Sequence, residues 1–96
     1  MSHTPGIWET PGTENGERVI CAKDKDGKRR TIAHVYGRNN NDIERDANAA
    51  LISAAPELLE ALKAIVIAVR PRPGEVNMHP EVLKNATRAI LKAEGN

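Results

Sequence analysis

The sequence predicts an α+β fold in which a small N-terminal antiparallel sheet, a hairpin plus a short first strand, precedes a C-terminal helical hairpin. Five of the seven glycines and both aromatic residues, Trp8 and Tyr36, lie before residue 41, whereas all six leucines lie after it. Glycine and aromatic residues are typical of turns and strands, and leucine is typical of helices. A chain of 96 residues is the size of one small domain. We therefore expect a single domain with a β part over residues 1–40 and a helical part over residues 41–95.

Two strands and the turn between them form the predicted hairpin. Residues 18–23 and 29–36 contain clusters of β-branched residues, which favour strands. Between them lies Asp26-Gly27, and a glycine that accepts a positive φ is typical of a tight hairpin turn. The sequence thus predicts two antiparallel strands joined at this dipeptide.

The first strand and the faces of the sheet follow from proline positions and alternation. Residues 6–10, which end before Pro11, are expected to form the short first strand. Alternation along the second strand places Val19 and Cys21 on the buried face and Arg18 on the solvated face. A sheet this small is marginal in water, so it must pack on the helices or pair with another chain.

The first helical segment is predicted from a capping signal and an apolar seam. Asn41 or Asp42 can cap its start with a side-chain oxygen. Apolar residues then recur at intervals of four and three, as in helices that pack lengthwise. The members of this seam are Leu51, Ala55, Leu58, Leu62, Ile65 and Val69. Because Pro56 interrupts the seam, we expect a kink there, or one helix that ends near Ala54 and another that begins at Pro56.

The last helix is expected to begin at Pro80 and to end at Gly95, after a Pro-rich connector over residues 70–79. Its apolar stripe consists of Val82, Ala86, Ala89 and Ala93. Small side chains on this stripe predict close packing of two antiparallel helices. Large apolar side chains are scarce, with no Phe at all. We therefore expect a homodimer or higher homo-oligomer, stabilised through the seam from Leu51 to Val69.

Composition argues against several classes of protein. The chain carries 14 basic and 13 acidic residues, which argues against nucleic acid as a partner, because general nucleic-acid binders need an excess of cations. The single Cys21 excludes a disulfide framework, and the three histidines have no metal-ligand spacing. No catalytic motif is present, so we expect a non-enzymatic protein without metal or cofactor. No apolar run is long enough to cross a bilayer, so we expect a soluble protein without a membrane partner.

The strongest candidate site is the polar loop that enters the first helix. Tyr36 and Gly37 end the last strand and are followed by Arg38 and Asn39. Backbone N–H groups at a helix start bind phosphate, and an arginine can add two parallel hydrogen bonds. Arg38 and Asn39 are therefore candidate ligand-binding residues. The alternative is an ordinary turn and helix cap, in which asparagines serve because they tolerate a positive φ.

Two further pairs of polar residues are candidates for ligand contacts. Arg70 and Arg72 lie on either side of a proline at a helix end, where they could hold a phosphate or simply offset the helix dipole. Arg45 and Asn48 lie in the helix after the polar loop. A ligand contact and a structural hydrogen bond are equally compatible with their positions.

The aromatic residues and one basic run complete the set of candidates. Trp8 and Tyr36 are the only aromatic side chains on which a base could stack, although a small sheet also uses such rings as core anchors. The basic run over residues 28–30 is either a solvated strand start or a nucleic-acid contact.

Three segments in order resemble a widespread family of small phage and prophage proteins. The chain opens with HTPGIW at residues 3–8, continues with NAALISAAPELLEALK at residues 48–63, and closes with ATRAILKA at residues 86–93. In that family an HTPGxW start precedes a few strands, a central NAxLIxAAPELLEALK motif and a terminal helix. The resemblance implies a phage origin and a place in the cytoplasm of the bacterial host.

The same build and origin are similar to those of phage sponges, which sequester cyclic nucleotide immune signals of Thoeris and CBASS systems in pockets between subunits. This analogy, at the level of fold and origin, implies a non-catalytic anti-defence protein that binds such a signal. Two alternatives stay open: a protein-binding inhibitor of an immune effector, as anti-CRISPR proteins are, and a small DNA-binding accessory protein that uses the basic run.

Overall fold

The structure, a computed structural model, describes residues 3–37 and 41–95. Its elements are the strands β1 (Ile7–Glu14), β2 (Glu17–Lys23) and β3 (Arg29–Val35), and the helices α1 (Asp42–Ser53), α2 (Ala55–Val69) and α3 (Pro80–Ala93). The predicted α+β class, with an N-terminal sheet followed by helices, is confirmed. The chain divides into two compact units, Ser2–Pro56 and Glu57–Asn96, which are described in turn. The single domain expected over residues 1–96 stays a prediction.

Two tight turns build the antiparallel sheet, whose strand order is β1-β2-β3. The first hairpin turns at Asn15-Gly16, where φ is 51° and 79°, as a two-residue turn of the favoured hand requires. The second hairpin turns at Gly27, with a φ of 81°, and is closed by the Asp24 carboxylate. Its Oδ1 accepts from the backbone N–H groups of Asp26 and Lys28, both at 2.9 Å. The predicted turn at Asp26-Gly27 is confirmed.

Strand β1 is longer than expected, because it continues through Pro11 as far as Glu14. The register with β2 shifts between Glu9 and Gly12, which is the signature of a β-bulge. An edge strand at a bulge tolerates a residue that lacks a backbone N–H. Pro11 therefore marks an irregularity within the strand and not its end.

Alternation predicts the buried face of the sheet only in part, because Cys21 is buried as expected but Val19 is only half-buried. Ile20 is fully buried and forms the core of the first unit with Val35 and Ala49, while Trp8 packs against this cluster. Pairing of β2 with β3 shifts in register after Ile20, so simple alternation fails there. Arg18, expected on the solvated face, is half-buried, because its Nε donates to Asp46 Oδ1 at 3.0 Å.

Helix α1 begins and ends as its local sequence predicts. Asn41 is the N-cap, and its Oδ1 accepts from the backbone N–H of Glu44 at 3.0 Å. The helix ends at Ser53 and α2 begins at Ala55, which confirms the predicted break near Pro56. Because Pro56 lies in the first turn of α2, its missing N–H removes no helical hydrogen bond.

Helices α2 and α3 form the second unit. Lys63 Nζ of α2 donates to Glu94 Oε2, just beyond α3, at 3.1 Å, and Val66 is buried. On α3 the predicted stripe is correct at Ala86, which is half-buried, but the rest of the packed face is formed by Leu83 and Ile90. Val82, Ala89 and Ala93 are exposed. Leucine and isoleucine bury more apolar area than alanine, so they decide which face packs.

No helix in the described part of the chain is long and apolar enough to span a lipid bilayer.

Candidate functional site

The strongest predicted site, Arg38 and Asn39, lies outside the described residues. The residues on either side of it are in close contact. A Cβ added at Gly37 would strike the carbonyl oxygen of Asn41 and lie 3.2 Å from the Cβ of Arg45. The end of β3 therefore passes directly against the first turn of α1, and glycine is required there for steric reasons.

Arg45, a candidate ligand residue, is committed to partners within the protein. The residue is 8% exposed. Its Nε donates to Asp46 Oδ1 at 3.0 Å, and its Nη1 donates to the carbonyl oxygen of Gly16 at 2.9 Å and lies 3.2 Å from Asp42 Oδ1. The hydrogen bond that Arg45 donates to Asp46 is the main reason why the pKa of Arg45 is raised, with further support from the charge of Asp42. The guanidinium thus ties the start of α1 to the turn between β1 and β2.

Asp46 joins two arginines from different elements. Its Oδ1 accepts from both Arg45 Nε and Arg18 Nε, each at 3.0 Å. The hydrogen bond from Arg45 is the main reason why the pKa of Asp46 is lowered, and the Arg18 guanidinium lowers it further against the opposing effect of burial. Asn48, two residues later, is exposed and makes no side-chain hydrogen bond with any described residue. Of the pair Arg45 and Asn48, only Asn48 is open to solvent.

The two aromatic candidates occupy different environments. Trp8 is half-buried against the core, its Nε1 donates to the carbonyl oxygen of Thr4 at 3.0 Å, and its ring meets His3 edge-on at 5.8 Å. We call residues 3–8 the N-terminal hook. It turns at Gly6, where φ is 103° and an added Cβ would lie 2.5 Å from the carbonyl oxygen of Lys23. Tyr36, by contrast, is 70% exposed, so its ring is the one open to a stacking partner.

Arg70 and Arg72 are exposed where α2 ends. The backbone N–H of Arg72 donates to Glu75 Oε1 at 3.1 Å, and the N–H of Glu75 returns to the carbonyl oxygen of Arg72 at 2.9 Å. Glu75 therefore closes the Pro-rich turn, a role that its sequence position did not suggest. Neither guanidinium forms an ion pair with a residue in the described ranges.

A cleft of about 200 Å³ lies between α2 and α3 in the second unit. Its lining combines apolar side chains, such as Val66, Ile90 and Leu91, with Lys63 and Arg70. The hydrogen bond that Lys63 donates to Glu94 is the main reason why the pKa of Lys63 is raised, and the charges of Glu60 and Glu94 raise it further. Lys63 is thus already paired, and Arg70 is the cation of this cleft that is open to a ligand.

The basic run over residues 28–30 lies at the start of β3. Arg29 Nε donates to Glu9 Oε1 of β1 at 2.8 Å, whereas Lys28 and Arg30 have no ion-pair partner among the residues that the structure describes. Sequence reasoning missed that these cations border a depression in the first unit. The HTPGxW start contributes Thr4 and Pro5 to the lining of this depression. No three His, Cys, Asp or Glu side chains of the described ranges come together as a metal site.

Comparison with known proteins identifies a family. A family model described as Salmonella phage P22 protein Y8K6 matches residues 1–96. No curated protein and no solved structure matches the chain. The resemblance to small phage proteins is confirmed at the level of the family. The chain therefore belongs to the family of Salmonella phage P22 protein Y8K6.

Proposed function

We propose that this phage protein is a non-catalytic binding protein that acts as a homo-oligomer in the cytoplasm of the bacterial host. Its subunits meet along α2, and its ligand is a cyclic nucleotide immune signal sequestered between them. The observation that carries the proposal is the exposed apolar face of α2.

Three apolar side chains of the predicted seam are open to solvent. Leu58, Ile65 and Val69 are 52%, 56% and 54% exposed, and no charged residue interrupts residues 64–69. Contiguous exposed apolar surface marks an interaction site. Burying the exposed half of each of these side chains would contribute about 1 kcal/mol per side chain, in each subunit, to the free energy of association. A second copy of the chain would supply a matching apolar face.

The charges of α2 suit a two-fold antiparallel pairing. Glu57 lies in its first turn, and Arg70 directly follows its last residue. In an antiparallel pair the acidic start of one helix faces the basic end of the other, and the same surface serves both subunits. A parallel pair would bring like charges together.

Arg70 and Arg72 supply the phosphate contacts in this proposal. Both are exposed beside the apolar face of α2, and arginine binds phosphate oxygens through two parallel hydrogen bonds. In the first unit, Tyr36, Arg38 and Asn39 are proposed as a separate set of ligand contacts, because an exposed ring stacks on a base and arginine and asparagine side chains carry hydrogen-bond donors.

Calorimetric titration with cyclic dinucleotides, cyclic trinucleotides and cyclic ADP-ribose isomers tests the ligand. We expect one class to bind the wild-type protein. The double variant R70Q/R72Q should weaken that binding roughly 100-fold, because each charge-assisted hydrogen bond contributes about 1.5–3 kcal/mol. The control is R88Q, which removes an exposed arginine from α3. Absence of heat with every nucleotide contradicts the nucleotide proposal.

A protein-binding inhibitor of an immune effector is the second candidate. The same apolar face of α2 favours it, because an effector could cover that face in place of a second copy. In that case a purified effector would bind one monomer, and R70Q/R72Q would leave the affinity unchanged. A stable homo-oligomer that does not bind effectors excludes this candidate.

A further inference from the structure

We propose that a pocket in the first unit, between the N-terminal hook and the second hairpin, binds a small phosphorylated anion. The pocket has a volume of about 230 Å³. Thr4 and Pro5 of the hook border it on one side, Ala22 forms part of its lining, and the cations of residues 28–30 border it on the other. It is separate from the α2 face, so the proposal does not depend on the oligomer.

The pairing of the strands creates the depression. Ala22 of β2 lies directly opposite Trp8 of β1 and opposite Arg30 of β3, and directly opposed residues share one face of a sheet. Ala22 is buried and carries only a methyl group. Arg30 and Ala22, which share this face, both line the pocket, and β2 contributes to it through Ala22.

The hook holds its side of the pocket in place. Gly6 turns the chain at a φ of 103°, and the hydrogen bond from Trp8 Nε1 fixes the carbonyl group of Thr4 at 3.0 Å. His3 packs edge-on against the Trp8 ring. Thr4 and Pro5 are thus positioned before any ligand arrives, which lowers the entropic cost of binding.

The charge of the pocket is positive. Asp24 is its one acidic residue, and Asp24 Oδ1 already accepts two backbone hydrogen bonds at 2.9 Å. Arg29 is paired with Glu9 at 2.8 Å. Lys28 and Arg30 make no ion pair with the described residues. Their ammonium and guanidinium groups offer only donors, and the negatively charged oxygens of a phosphate group accept such hydrogen bonds.

The size of the pocket selects the ligand class. Pockets for drug-sized ligands have volumes of about 300–1,000 Å³, and this pocket is smaller. It suits a phosphoryl or diphosphoryl group of a small molecule and not a whole dinucleotide. The hook borders one side, which favours a terminal phosphate over the middle of a nucleic-acid strand.

Titration of the isotope-labelled full-length protein with inorganic pyrophosphate, followed by NMR at low ionic strength, tests the site. We expect saturable shifts at Thr4, Ala22 and residues 28–30. The double variant K28Q/R30Q should weaken binding at least about 10-fold, since two charge-assisted contacts are lost. Lys28 and Arg30 are exposed, so thermal unfolding should stay close to that of the wild type and report an intact fold.

The matched control is K25Q. Lys25 is an exposed residue of the same turn and does not border the pocket. K25Q should bind pyrophosphate about as tightly as the wild type. The proposal is overturned if K25Q loses as much pyrophosphate affinity as the single variants K28Q or R30Q. It is also overturned if pyrophosphate causes no saturable chemical-shift change in the wild type. A duplex DNA oligonucleotide forms the second arm. DNA binding at residues 28–30 with no pyrophosphate binding also overturns the proposal and assigns the surface to nucleic acid.

Discussion

At the scale of single residues, an arginine guanidinium can bind a ligand or can hold two parts of the protein together. Its role depends on which acceptors it contacts. Arg45 reaches the carbonyl oxygen of Gly16, 29 positions earlier in the chain. No local sequence pattern indicates so distant a backbone acceptor. The sequence therefore left open whether Arg45 contacts a ligand or makes a structural hydrogen bond. Asn41 was predictable as a helix cap, because its acceptor role involves the N–H of Glu44, only three residues away.

The shared carboxylate of Asp46 predicts a dependence of stability on pH. The hydrogen bond from Arg45 lowers the pKa of Asp46 in the folded state below its ordinary value of about 3.9. A lowered pKa stabilises the fold above that ordinary value, and the contribution is lost as the pH falls through the folded-state pKa. We expect D46N to lower the stability at neutral pH and to flatten the loss of stability in acid.

Urea denaturation between about pH 6 and pH 2 measures this effect. The control is D26N, which changes an exposed carboxylate in the second hairpin. D26N should follow the acid profile of the wild type. If D46N also follows that profile, the ion pairs of Asp46 contribute nothing to folding.

At the scale of elements, the first strand and the last helix show where pattern reasoning works and where it fails. Pro11 was expected to end β1, but the bulge between Glu9 and Gly12 accommodates it, and bulges leave no clear signature in a single sequence. On α3 the alanines mark a regular stripe, yet the packed face is set by Leu83 and Ile90, since they bury more area. The break between α1 and α2 was predictable, because proline acts on its own backbone.

The apolar face of α2 predicts self-association. We expect I65E to weaken it by at least about 10-fold, because a buried interface would have to desolvate a carboxylate. Light scattering coupled to gel filtration measures the mass of wild type and variant over a range of concentrations. The control is I43E, at an exposed apolar residue of α1 that lies outside the seam. A wild-type protein that stays monomeric at every concentration contradicts the prediction.

At the scale of the whole molecule, the partition of glycine and leucine predicted the order of sheet and helices, but not the centre of the core. Among the described residues, the large side chain that is fully buried is Ile20, whereas alternation placed its neighbours Val19 and Cys21 on the buried face. Two register shifts and the ion pairs of Arg18 and Arg45 with Asp46 displaced the pattern. Each depends on contacts between elements that a linear sequence does not display.

Ile20 and Val19 therefore form a test of where the core lies. We expect I20A to lower the free energy of unfolding by about 2–5 kcal/mol, as truncation of a buried isoleucine does. V19A, at a half-buried position, should lower the free energy of unfolding by only about 1 kcal/mol. Chemical denaturation of both variants gives the comparison. Equal losses would place the two side chains in equivalent environments and contradict the structure.

The location of Trp8 gives the molecule an optical reporter. It is the only tryptophan, and the only tyrosine is Tyr36, so intrinsic fluorescence comes entirely from the unit Ser2–Pro56. Far-ultraviolet circular dichroism is dominated by helix, and α2 and α3 contain most of the helical residues. Melting curves recorded by the two methods therefore follow different units. Coincident curves indicate that the chain unfolds as one cooperative domain, and separated curves indicate two.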